Sequence, residues 1–146
     1  MRTRRFSWVV AAVVAAAVMS GCSSSKAAPP PPCRPAPSAK LPVPGDVLTE
    51  RDGGGTYCVV VGVELAVRLH VPANDTGPPW QVAVSSDNSV LAQAGTGEGL
   101  VAPRSMATFF SVRKPGVVTI VARRAGVPLF KVTVVARAPS KSVTTG

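Results

Sequence analysis

Apolar and polar side chains take alternate places along most of this chain, and that period of two leaves few architectures open. In residues 64–71 the apolar set is Leu65, Val67, Leu69 and Val71, while Glu64, Arg68 and His70 point the other way. Such a segment is a half-buried strand. Trp80, Val82 and Val84 alternate with Gln81, Ala83 and Ser85, which predicts a second strand led by a core tryptophan. Phe110 and Val112 precede Lys114, Pro115 and Gly116, where proline suits the second position of a turn and glycine the third. The pattern resumes over 117–122, and again where Phe130, Val132 and Val134 alternate with Lys131 and Thr133. Residues 57–61 and a short piece at 89–92 complete about seven strands. No stretch of the domain shows a helical period of 3.6.

Many short strands separated by Gly, Pro, Asn and Asp clusters predict an all-β, immunoglobulin-like β-sandwich, with a small barrel as the alternative. The sandwich is expected over residues 41–138, an ordinary size for one domain. The ends have a different character. Arg2, Arg4 and Arg5, then an uncharged apolar run from Trp8 to Met19, form the layout of a secretory signal over residues 1–21. The run is too short to cross a bilayer as a helix, which takes about 20 residues. Val18, Met19, Ser20, Gly21 and Cys22 resemble the lipobox of bacterial lipoproteins. That resemblance implies cleavage before Cys22, acylation of its thiol, and an extracytoplasmic chain anchored to the cell membrane by lipid. Apart from Cys22, Cys33 and Arg34, residues 22–40 are Ser, Ala, Lys and Pro around the Pro29–Pro32 run, and read as a semi-rigid polyproline linker. Residues 139–146 read as a fraying tail.

The chain has three cysteines. With Cys22 lipidated, Cys33 and Cys58 are left to form one disulfide, two free thiols being the alternative. The antibody pattern, a cysteine pair flanking the core tryptophan, is missing because both cysteines precede Trp80. The bond is therefore expected to staple the linker to the first strand.

The formal charge is +9, and its distribution says more than its total. All seven acids occur by Glu98, whereas Arg104, Arg113, Lys114, Arg123, Arg124, Lys131 and Arg137 follow with no carboxylate among them. The asymmetry suggests an anionic envelope ligand or an acidic protein face, with a solvated surface as the plain alternative. Residues 123–128 read as a loop long enough to display its two arginines.

Catalysis is poorly supplied. A lone His70 on the wet side of a strand has no nucleophile once the cysteines pair, and it cannot make a zinc set. Glu50 and Asp52 are explained by a turn beside Gly53. The glycine-rich residues 95–99 have neither the lysine of a P-loop nor the helix of a dinucleotide site. No catalytic residue, metal or other cofactor is expected, nucleic acid is disfavoured by export and by the few aromatics, and the chain is expected to be a monomer.

Finally, Leu48 to Glu50, Asp52 to Gly54 and Val59 to Leu69, then Thr76, Gly77 and Trp80, are similar to the chagasin-type cysteine peptidase inhibitors. The Ser86–Leu91 stretch, the Lys114-Pro115-Gly116 turn and Phe130 to Val135 extend the likeness over nearly the whole domain. Family members have an immunoglobulin-like fold and use three loops at one end to plug a papain-like cleft. The resemblance places those loops at Asp75, Thr76 and Gly77, at Gly97 within the glycine-rich stretch, and at Arg123 and Arg124. Pro78 stands where the family's tyrosine would be, and Ala125 and Gly126 replace its Pro-Trp. Without these aromatics the loops lack the family's large rigid contacts. The first reading is therefore a non-catalytic envelope lipoprotein whose sandwich binds another envelope component, with Arg123 and Arg124 as electrostatic contacts. The alternative is a chagasin-like inhibitor of papain-family peptidases.

Overall fold

In a computed structural model, residues 28–39, 45–100 and 102–141 are described. The expected signal segment and Cys22 lie outside them, as does most of the expected tail. Among the described residues there are ten strands: β1 Arg34–Pro35, β2 Ser38–Ala39, β3 Gly45–Thr49, β4 Thr56–Val60, β5 Glu64–His70, β6 Val84–Ser85, β7 Leu91–Glu98, β8 Ser105–Val112, β9 Gly116–Ala122 and β10 Phe130–Arg137. They form two five-stranded sheets, in the orders β1-β4-β10-β9-β6 and β2-β3-β5-β8-β7. The chain is a β-sandwich, as the alternation predicts. Both sheets are mixed, because β4 runs parallel to β10 and to β1, and β3 runs parallel to β5.

The two inner faces supply the core. From one sheet come Tyr57, Val59, Val118, Ile120, Val132 and Val134, and from the other Leu48, Leu65, Val67, Leu69, Leu91 and Phe110. On β5 these are the residues that the period of two assigns to the dry side. The Pro115-Gly116 turn is where it was expected, and Gly116 is needed there for another reason as well. A Cβ on it would come within 2.7 Å of Val90 Cγ2.

Three expectations fail, each because a distant part of the chain intervenes. The first is the phase of the segment after Trp80. Trp80 is buried, but Ala83 and Ser85 face inward and Val84 is 59% exposed. Residues 71–83 carry the chain from one sheet to the other, and the Ala83 N–H is satisfied by Thr108 Oγ1 of the opposite sheet at 3.0 Å. A buried amide needs a partner, and meeting that need turns Ala83 inward. Ser85 then pairs with Ile120 and Val84 with Val121, so the valine faces out.

The second concerns the glycine-rich stretch. Gly95 and Gly97 belong to β7, paired with Phe109 and Ala107 of β8 after a bulge between Gln93 and Gly95. The turn follows at 99–104, where Gly99 and Arg104 both have positive φ.

The third is the linker, which does not stop short of the sandwich. Cys33 is bonded to Cys58, as expected, with a sequence separation of 25. Arg34 and Pro35 then pair with Tyr57 and Cys58, and Ser38 and Ala39 pair with Asp46 and Gly45 of the other sheet. Ala36, between them, is buried in the core. The Arg34 guanidinium lies over the Tyr57 ring, 4.6 Å from its centroid, and donates to the Tyr57 hydroxyl. That hydroxyl in turn donates to Asp52 Oδ1 at 2.9 Å. The folded unit thus begins at Cys33 and not at residue 41, because backbone pairing and one staple hold a segment whose composition alone could not build a core.

Candidate functional site

Strand direction puts the loops at one end of the sandwich. β5 ends at His70 opposite the start of β8 at Ser105, β7 ends at Glu98 opposite Met106, and β9 ends at Ala122 opposite the start of β10 at Phe130. Three connections therefore meet at one pole: residues 71–83, 99–104 and 123–129. The short 3-10 turn Glu50–Asp52 caps the same pole, with Thr49 N donating to Asp52 Oδ2 at 2.7 Å.

Two arginines tie the three loops together. Arg104, from the second, donates to the carbonyls of Asp75 and Gly77 in the first. Arg124, from the third, pairs its Nη2 with Asp75 Oδ1 at 2.8 Å and donates Nε to the Pro78 carbonyl at 2.6 Å. Asp75 also accepts from Gly77 N–H at 2.8 Å, which folds the loop tip on itself. The Gln81 amide donates to the Arg123 carbonyl at 2.9 Å, so the first and third loops are joined by backbone as well. Arg124 beside it, then Gly77 N–H, holds the Asp75 carboxyl below its ordinary range.

Among the sequence-expected residues, Asp75, Gly77 and Arg124 are thus brought into contact, and Thr76 sits exposed at the tip between them. Arg124 does not serve as the displayed electrostatic contact. Its side chain is only 3% exposed, and its charge is already matched by Asp75. Arg123 is exposed at the same pole and keeps the expected role open. Gly97 lies in a strand and not a loop, and a Cβ there would meet the side chain of Leu100. Leu100 itself is 67% exposed and Leu129 45%, giving the pole two apolar side chains that face water.

Sequence alone does not single out Arg104, because one arginine among eight back-half cations carries no mark. Its positive φ of 58° is visible only in the folded chain, and the double carbonyl contact accounts for holding an ordinary residue in that conformation.

His70 is on the wet side as expected, 55% exposed, with Nδ1 at 2.7 Å from Glu50 Oε1. Among the described residues there is no group of three His, Cys, Asp or Glu side chains placed to hold a metal ion.

No protein-family model matches this chain, and no curated protein matches it. Solved structures do show likenesses. The cysteine protease inhibitor EhICP2 from Entamoeba histolytica is 18% identical, with 62% of this chain and 93% of that one covered and a TM-score of 0.49. PbICP-C, solved in complex with falcipain-2, is 14% identical over 65% of this chain and 91% of its own, with a TM-score of 0.41. Domains 1–6 of the surface layer protein SbsC give 14% identity and a TM-score of 0.46 over 58% of this chain and 12% of that one. At this level of identity and superposition the likenesses carry no functional argument.

Proposed function

We propose that this chain is a non-catalytic protein-binding domain whose working surface is the three-loop pole. The observation that carries the reading is the grip of Arg104 and Arg124 on residues 75–78. Loops left to themselves lose freedom when they bind, and that loss weakens association. Here the tips are ordered in advance by these two side chains, while Thr76, Arg123, Leu100 and Leu129 are left facing outward.

The partner class that best fits is a papain-family cysteine peptidase. Three loops at one end of a sandwich are what the sequence resemblance to chagasin-type inhibitors implies, and a wedge of loops suits a concave cleft. Titration of the full chain against such a peptidase tests this directly. Stoichiometric, reversible loss of activity is the expected result, and full activity at about a hundredfold molar excess of this chain rejects the peptidase.

A second reading, another protein of the cell envelope, is favoured by the N-terminal sequence. On that reading Cys22 is acylated and the sandwich stands outside the membrane behind the proline run. Intact mass of membrane-extracted protein tests the anchor, since retention of residues 1–21 without added acyl mass rejects it. A photo-reactive residue at position 76 or 123 tests the pole. Cross-links from these positions but not from position 117, on the outer face of β9, are the expected result.

A further inference from the structure

Val118, Ile120, Val132 and Val134 point into the core, so the alternate positions of β9 and β10 stand on the outer face of their sheet, the one ordered β1-β4-β10-β9-β6. Strand register lays that face out in rows. Val84, Val121 and Lys131 lie side by side, then Thr119 and Thr133, then Val117, Val135 and Cys58, and last Arg137 and Val60. Val60, Val84 and Val117 are 41%, 59% and 50% exposed, and Lys131 and Arg137 also face water.

The five strands of this sheet contain no aspartate or glutamate. Carboxylates in the bordering turns are engaged elsewhere: Asp52 accepts from the Tyr57 hydroxyl, Asp75 pairs with Arg124, and Asp87 accepts from the Ser89 amide and hydroxyl. The other sheet presents a different outer face. It carries Glu64, Arg68 and His70 with the small Ala66 and Ala107, and none of its strands exposes a large apolar side chain. Pro30 of the linker lies against the first face, where it lines a hollow of about 320 Å³ with Pro115, Val117, Val135 and Arg137. That is the end of the sheet away from the loop pole, because β9 begins and β10 ends there.

We propose that the outer face of the first sheet rests on an anionic phospholipid bilayer, with Val60, Val84 and Val117 in shallow apolar contact and Lys131 and Arg137 at the headgroups. Exposed valines gain by leaving water, and cations gain beside anionic lipid where no carboxylate opposes them. Chain length brings the two surfaces together. Only residues 23–29 separate Cys22 from Pro30, a reach of about 25 Å in polyproline II geometry. An anchor at Cys22 therefore holds the face that Pro30 borders next to the membrane, and a lipid anchor is strengthened by a second, basic contact of this kind. Seated so, the sandwich leaves its three loops free for a protein partner.

The inference rests on acylation of Cys22 for its biological setting, but its test does not. A photo-reactive residue is placed in the full chain at position 84 or 117, or at the exposed position 93 on the second sheet as control. Each chain is mixed with vesicles of phosphatidylcholine and phosphatidylglycerol, or of phosphatidylcholine alone. Only chain that floats with the vesicles is irradiated, so the lipid adducts read by intact mass report orientation and not capture. Adducts from positions 84 and 117 should exceed those from 93 by about fivefold or more on the mixed vesicles. They should fall about as far on phosphatidylcholine alone, and in the double variant Lys131→Glu, Arg137→Glu. Equal adducts from position 93, or adducts that persist without anionic lipid, overturn the proposal. So do adducts unchanged by the charge reversal, and cross-links to a second copy of the chain in place of lipid, which would assign the face to self-association. Should the double variant not fold, the two vesicle compositions still decide on the parent sequence. Failure here leaves the loop pole untouched as a binding surface, whereas failure of the peptidase titration or of the acyl-mass measurement leaves the lipid adducts standing.

Discussion

Removing the Cys33–Cys58 bond by paired Cys33→Ser and Cys58→Ser replacement separates two ways a staple can act. The bond closes a loop of 25 residues. Loop-closure entropy for that length gives about 3.5 kcal/mol of stabilisation, all of it from restricting the unfolded chain. For a domain of this size each kcal/mol is worth several degrees, so the expected fall in Tm is on the order of 15 °C. That is a large share of the 5–15 kcal/mol that typical domains have in total.

The folded side of the balance should change little. The Arg34 contact with Tyr57, the pairing of β1 and β2, and burial of Ala36 do not depend on the sulfur atoms. Urea unfolding of both proteins measures the free-energy difference, and limited proteolysis of residues 28–39 under native conditions reports whether the segment stays docked. A loss near 3.5 kcal/mol with the segment still protected supports the reasoning. A loss below about 1 kcal/mol, or rapid cleavage in the segment, refutes it, because the bond would then be redundant or would itself be what holds the segment in place.

Other expectations follow from single groups. Phe110→Ala empties a site with no exposure in the centre of the core and should cost about 3–5 kcal/mol in urea unfolding. Tyr57→Phe removes the hydroxyl that joins Arg34 to Asp52 and should cost about 1–2 kcal/mol. Phenol titration should also show Tyr57 ionising above its ordinary value, chiefly because burial disfavours the phenolate. The Asp75 carboxyl has a lowered pKa in the folded chain, so what it contributes is complete above its unfolded value of about 4 and is lost as pH falls through the folded one. The stability gap between the parent chain and Asp75→Asn should therefore shrink between about pH 5 and pH 2, and a gap that stays constant over that range contradicts the pairing with Arg124. Replacing Arg104 with Ala should leave the core transition nearly unchanged while hydrogen exchange speeds up in residues 73–79, and unaltered exchange would show that Arg104 does not order the loop.

Much of the sandwich could be read from local pattern, and the reason is geometric. Successive side chains of a strand point to opposite faces, so Leu65, Val67 and Leu69 declare a buried side without reference to any other part of the chain. Turn chemistry is equally local, which is why Lys114, Pro115 and Gly116 mark the β8–β9 corner correctly. Three cysteines leave one over, and the lipobox resemblance, which implies that Cys22 is acylated, left Cys33 and Cys58 to each other.

What local pattern misses is whatever depends on a partner far along the chain. The alternation at Trp80, Val82 and Val84 is real, yet Thr108 on the other sheet claims the Ala83 amide and reverses the phase. The proline-rich linker has no large apolar residue, yet β4 and β3 offer edges to which residues 34–39 pair, and Ala36 is buried between them. Arg124 has the sequence neighbourhood of a displayed charge, and only the arrival of Asp75 from a loop 49 positions earlier buries it. Thus periodicity determined that strands would form and, for most, which side of each is dry. Which strands meet, and so which arginines are committed and which are left open, was decided by pairing between distant segments, because one-dimensional spacing contains no record of who stands opposite.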